Sequence, residues 1–143
     1  MLDIIRKAWG WIGLDPADVV AENAFGNLIV RAADGAFWRI RPEDLSCEKV
    51  AGDRDEFAVL SRREDFLLDW EMTRLVEQAR RKLGRLPAGR CYCLKVPAVL
   101  GGRYDAANMD TISLAELISF SGDLAEQLKD VPDGTKVRLR IVP

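Results

Sequence analysis

Two groups of carboxylates have spacings that could hold a cation or divide acid and base work. Asp65 and Asp69 are four apart, so a helix would place them on one face. Asp105, Asn108 and Asp110 crowd a short stretch in the manner of a calcium loop. The first pair has no third ligand at a supporting spacing. A solvated acidic face near a helix N-terminus, where the dipole favours carboxylates, accounts for it better. The second group fails a positional test. Counted from Asp105, an EF-hand has Glu116 at its twelfth position as required, but Asp110 stands where the sixth must be glycine. Asx turns that shape a loop are the better reading.

Gly101-Gly102 could cradle a phosphate, but neither the Gly-Lys-Ser/Thr ending nor a helix start follows, so a tight turn is expected. Cys91 and Cys93 share one strand face with Lys95, a cation able to lower a thiol pKa. The chain contains no histidine. That removes Ser-His-Asp and Cys-His chemistry, imidazole proton shuttles and most zinc sites. Without an activating imidazole, the two cysteines read as buried strand residues. No cofactor is expected.

The 143 residues are expected to form one domain, 1–143, with 1–22 as a helical lead-in. Apolar content of 48% and charged content of 31% suffice for a core without staples. A formal net charge of -2 offers no overall attraction to nucleic acid or an anionic membrane, though a local acidic patch could meet a basic partner. Three cysteines, an odd number, and an opening stretch unlike a signal peptide point to reduced thiols in the cytoplasm. No run approaches membrane-spanning length.

The elements that would position these residues follow from periodicity. Leu2, Ile5, Trp9 and Ile12 make residues 2–12 a short amphipathic helix. Asp15-Pro16 reads as a helix cap and first turn, giving a helix over 16–22. Gly26 marks a turn. Asp34-Gly35 between apolar runs is a hairpin joining strands 27–32 and 36–41. Residues 42–45 form a turn, and 47–50 a third, brief strand. Asp53 with Glu56, Ser61 with Glu64 and Ser113 with Glu116 have capping-box spacing. The main helix is expected over 63–83, with Leu68, Met72, Leu75, Val76, Ala79 and Leu83 inward and Phe66 and Trp70 on an adjacent face. A strand covers 91–96, residues 111 and 112 are extended at most briefly, and a helix covers 114–129. Gly122 within it implies close packing. Gly134 turns the chain into a last strand, 135–142. Trp38 and Trp70 read as core; Trp9 and Trp11 would cover the core's edge or a partner. The fold class is α+β: an antiparallel sheet of about four to five strands, two long helices on one face, and a short N-terminal helix.

Three blocks carry a family resemblance: DGAFWRIRPE from Asp34, LKVPAVLGGRY from Leu94, and ELISFSGDLAEQLKDVPDG from Glu116, with DFLLDWEM from Asp65 beside them. Over about Asn23 to Val142 the chain resembles the C-terminal domain of Tdi-type immunity proteins of bacterial type VI secretion systems, often found with a GAD-like domain. Where the longer form has a separate N-terminal domain of that kind, residues 1–22 here are expected to be only a short helical lead-in. The resemblance implies a cytosolic, non-catalytic protein that binds a cognate DNase effector toxin and blocks its active site. A nuclease groove is basic because it holds phosphates, so acidic and aromatic groups suit an inhibitor. The candidate contact residues are Arg103, Tyr104, Asp105, Asn108 and Asp110 in the loop, with Asp65 and Asp69 as a second patch. Gly26, Gly35, Gly101, Gly102 and Gly134 are expected to set turns. Two other readings stay open: an intracellular scaffold or regulatory domain with a non-toxin partner, and a small carboxylate enzyme using a divalent metal.

Overall fold

A computed structural model describes residues 1–138. The architecture is α+β, a four-stranded antiparallel sheet beside a two-stranded one. Helix α1 (Leu2–Trp9) buries Ile5, Ala8 and Trp9, and a 3-10 turn (Gly10–Ile12) continues it to Gly13. Trp9 therefore lies in the core, while Trp11 stacks on it with ring centroids 6.1 Å apart.

Residues 16–22 are not a helix. They form strand β1 (Pro16–Glu22), which pairs antiparallel with β2 (Leu28–Ala32). Local capping chemistry at Asp15-Pro16 loses to the pairing that an otherwise open edge of β2 offers to a Val-Val run. Proline is tolerated because it opens an edge strand. The Asp34-Gly35 hairpin leads into β3 (Phe37–Arg41) as expected, with the Ala36 N–H donating to Asp34 Oδ1 at 3.0 Å. A 3-10 turn (Pro42–Asp44) then leads to β4 (Ser46–Ala51), completing the order β1-β2-β3-β4.

Helix α2 (Arg54–Leu60) is capped by Asp53, whose carboxylate accepts from the Glu56 N–H at 2.9 Å. The expected box at Ser61 does not form, because the Ser61 hydroxyl donates back to the Ala58 carbonyl instead. The expected long helix is broken in two: α3 (Glu64–Glu71) and α4 (Thr73–Leu83), separated by Met72 in the left-handed region at φ +50°. The break reconciles two apolar faces that one straight helix cannot bury together. Phe66 and Trp70 go to the main sheet, and Leu75, Val76, Ala79 and Leu83 go to the second. Leu68 belongs to neither and is 66% exposed, contrary to its expected place in the inner stripe.

The second sheet pairs β5 (Arg90–Leu94) with β6 (Met109–Ser113), longer than the brief extension expected there. Helix α5 (Leu114–Leu128) follows, capped by Ser113. It bridges the sheets: Ile118 and Ala125 enter the main core, and Leu117 packs on Cys91 and Cys93. A Cβ on Gly122 would lie 2.3 Å from the Ala8 carbonyl oxygen, so α1 can seat on α5 only over a residue with no side chain. Residues 135–138 of the expected last strand have no regular structure, and 139–142 lie outside the described residues.

Candidate partner-binding site

Alternation along β3 sends Trp38 and Ile40 toward the core shared with α1 and α5, and Phe37 and Arg39 toward α3. Arg39 is thereby buried, at 4% exposure, and a buried guanidinium needs acceptors for its fork. Its Nε and Nη2 donate to Asn27 Oδ1 at 3.2 and 3.0 Å, and Nη1 donates to Asp69 Oδ2 at 2.5 Å. The Trp70 and Phe66 rings lie 5.1 and 5.9 Å from its guanidinium carbon. Asn27 in turn donates to Glu43 Oε2 at 2.8 Å.

Outward, the same network reaches solvent. Arg41 shares Asp69 Oδ2 with Arg39 and lies 3.9 Å from Asp44. The Tyr104 hydroxyl donates to the Asp44 carboxylate. One polar chain thus runs from the buried Glu43 to the exposed Tyr104, joining segments around residues 40, 70 and 104.

Burial opposes the charged form of Asp69, but the hydrogen bonds and charges of Arg39 and Arg41 outweigh it and hold its pKa below the usual range. Burial raises the Glu43 pKa, only partly offset by its hydrogen bonds, including the one from Asn27. Burial and the Asp44 carboxylate raise the Tyr104 phenol. Burial likewise pushes Cys47 and Cys91 up to about 12 and Cys93 to about 11. Lys95 lies beyond the end of β5, and its pull on Cys93 is weaker than burial. The thiols are protonated at neutral pH and are poor nucleophiles.

The break at Met72 opens a cleft of about 430 Å³. Its walls come from Arg41 and Glu43, from Leu68, Asp69 and Met72 to Leu75, and from Tyr104. Asn23 braces the break: its side-chain amide donates to the Trp70 carbonyl at 2.9 Å, while its Oδ1 accepts from the Phe25 and Asn27 N–H groups. Gly102 and Asn108 set the course of the chain that presents Tyr104. Asn108 accepts from the Val96 N–H and donates to the Val96 and Arg103 carbonyls. A Cβ on Gly102 would stand 1.8 Å from the Val96 oxygen.

The structure therefore sorts the candidate residues. Asp69 and Tyr104 meet in one cleft. Arg103, Asp105 and Asn108 line a separate groove of about 410 Å³ beside Gly101 and Gly102. Asp65 pairs with Arg63 at 2.9 Å and lines neither. Asp110 accepts from the Thr111 N–H at 2.8 Å. Asp65 and Asp69 do not form a metal pair, since Asp69 is claimed by two arginines. Among the described residues no three His, Cys, Asp or Glu side chains cluster as metal ligands. Periodicity missed Arg39, Glu43 and Asn27. The available signal was an arginine flanked by apolar residues within a strand, which must be buried with a partner or lie at an edge.

Residues 51–125 match a family model described as T6SS immunity protein Tdi1, C-terminal. The matched span is narrower than the residues that carry the resemblance in sequence. No curated protein matches the chain. Among solved structures, the crystal structure of Atu4351 from Agrobacterium tumefaciens has a similar fold, with a TM-score of 0.54 at 18% identity. The alignment covers 85% of this chain and 62% of that one, so this chain spans less than two thirds of that protein's length. Among the described residues, no helix is long and apolar enough to cross a membrane.

Proposed function

The chain belongs to the family of type VI secretion immunity proteins described as Tdi1, C-terminal, and from that premise we propose that it binds a cognate DNase effector in the cytoplasm and blocks it without catalysis. The cleft at the α3–α4 break is its principal contact site. The observation that carries this choice is convergence: segments far apart in sequence bring Asp69, Arg41, Leu68 and Tyr104 to one recess. Apolar, aromatic and charged groups side by side suit a protein interface, where tyrosine and arginine anchor well. Asp65 and the groove at Arg103 and Asp105 extend the contact. Asn108 holds the loop and Asp110 steadies the start of β6, so both position the contact surface. The whole chain acts as one domain in this reading, with no nucleic acid or membrane among its partners.

Co-expression with the product of the adjacent open reading frame tests the proposal. A one-to-one complex that survives purification, and protection of cells expressing that product, are the expected results. Tyr104→Ala should weaken the complex about tenfold while leaving the circular dichroism spectrum unchanged. Absence of both complex and protection would sink the proposal. Recovery of a different, non-toxin protein in the same pull-down would favour a scaffold role instead.

A further inference from the structure

The outer surface of α2 and α3 differs from the other helical surfaces. Neither helix has a fully buried residue. Both face the sheet with aromatic rings, Phe57, Phe66 and Trp70. Outward they present Val59 and Leu68, each 66% exposed, and Leu67 at 39%. Residues 53–71 carry seven carboxylates against three arginines. Asp69 and Asp65 are already paired, but Asp55, Glu64 and Glu71 are exposed and form no ion pair among the described residues. The next segment is opposite in sign: residues 73–85 carry five basic residues and one acidic. A chain with a net charge of only -2 therefore separates its charges by sign along adjacent helical segments.

We propose that the outer face of α2–α3 is a docking surface for a basic, phosphate-binding face of the partner protein. The inference rests on the effector-binding reading above and adds the surface and the partner's chemistry. Two features support it. Leucine and valine side chains held in water among carboxylates have the composition of an interface centre with a charged rim. Leu68 also lines the cleft, so the exposed face of α3 borders the recess. A surface that binds DNA phosphates must be positive, and carboxylates on two neighbouring helices offer it a substitute anion array. The unpaired acids steer the encounter; the apolar side chains slow dissociation.

The test uses the co-expressed complex, with the adjacent gene's product inactivated by substitution, and follows association and dissociation separately. Raising sodium chloride from about 50 to about 500 mM should slow association about tenfold or more. Glu64→Lys with Glu71→Lys should slow it by a similar factor at low salt. Leu68→Ala should speed dissociation about tenfold. Arg81→Glu, on the exposed surface of α4, should slow neither step. Double-stranded DNA should compete with the immunity protein for the partner. All of these side chains are exposed, and a thermal melt confirms that each variant folds. A complex whose rates ignore the charge reversals and Leu68→Ala overturns this surface while leaving the effector-binding reading intact. Absence of any complex removes both. Concentration-dependent dimerisation without the partner, abolished by Arg81→Glu, would assign the face to a second copy of the chain and overturn the proposal.

Discussion

On one face of the main sheet, Ile5 and Trp9 of α1 and Ile118 and Ala125 of α5 close over Leu28, Val30 and Ile40. On the other face, α2 and α3 bring Phe57, Phe66 and Trp70 to Ile29, Phe37 and Ala51, and neither helix is fully buried anywhere. The first face is held by dense apolar packing, each fully buried large side chain contributing roughly 1.5–3 kcal/mol. The second is held by a few stacked rings and by Asp69 gripping Arg39 and Arg41. A charged clamp is a poor source of stability, because the desolvation cost offsets the attraction. It does fix one arrangement of α3, and it leaves polar groups at the surface where a partner can use them. The two sides divide the labour: the α1–α5 side carries the dense core, and the α2–α3 side carries the proposed site.

That contrast can be broken first at Gly122. Gly122→Val should push α1 off α5 and cost about 3 kcal/mol or more, since its side chain must displace backbone. Thermal denaturation should fall by ten degrees or so, and a melt like the parent's would show that the α1–α5 contact is not the tight one described. The clamp comes next. Asp69→Asn leaves the Arg39 charge buried without its carboxylate and should cost about 1–3 kcal/mol. The half-exposed position of Asp69 keeps the cost below that of a fully buried pair. Urea denaturation of this variant should show the loss; an unchanged midpoint would remove the clamp from the stability of that side.

Acidity separates Asp69 and Glu43, two of the three carboxylates in the network. The folded pKa of Asp69 is depressed, so its contribution is present above its unfolded value of about 3.9 and is lost as pH falls through the lower folded value. The folded pKa of Glu43 is raised, so its sign is opposite. Its favourable contribution is full below the unfolded value of about 4.3 and disappears as pH rises through the raised one. Glu43→Gln, which keeps an acceptor for Asn27, should therefore stabilise the protein at neutral pH by about 1 kcal/mol or less. The gain should vanish toward pH 4, and a gain that is constant with pH would mean that Glu43 is not the titrating group. The smallest effect belongs to Asp65. Its exposed pair with Arg63 predicts that Asp65→Asn shifts stability by less than about 0.5 kcal/mol, and a larger shift in the urea midpoint would give that pair a role the geometry does not.

Several elements were legible because their signals are local. The Asp34-Gly35 hairpin, the Asp53 and Ser113 caps and the inward stripe of α5 need only neighbouring residues to be read. Strand β1 and the break at Met72 were not legible, since each resolves a competition that distant segments decide. A free edge on β2 claims residues 16–22, and two separate sheets claim the two faces of residues 64–83. Two residues of the candidate cleft, Asp69 and Tyr104, could be named from residue type. Arg41 and Glu43, which also line it, lay in a stretch whose pattern indicated only strand and turn.

Asp65 with Asp69, and Asp105 with Asp110, are acids at chemical spacings. The sequence by itself determined that they form no familiar catalytic or EF-hand pattern, because ligand spacing and the absence of histidine are properties of the chain. It also determined the α+β class, because periods of two and of about 3.6 residues are written into it. Only the tertiary structure decided what each acid does. Asp69 meets Arg39 and Arg41 across 30 and 28 residues of chain, and Tyr104 meets Asp44 across 60. Ion pairs at such separations leave no periodic trace, so folding alone sets whether a carboxylate clamps a core arginine or stands in water.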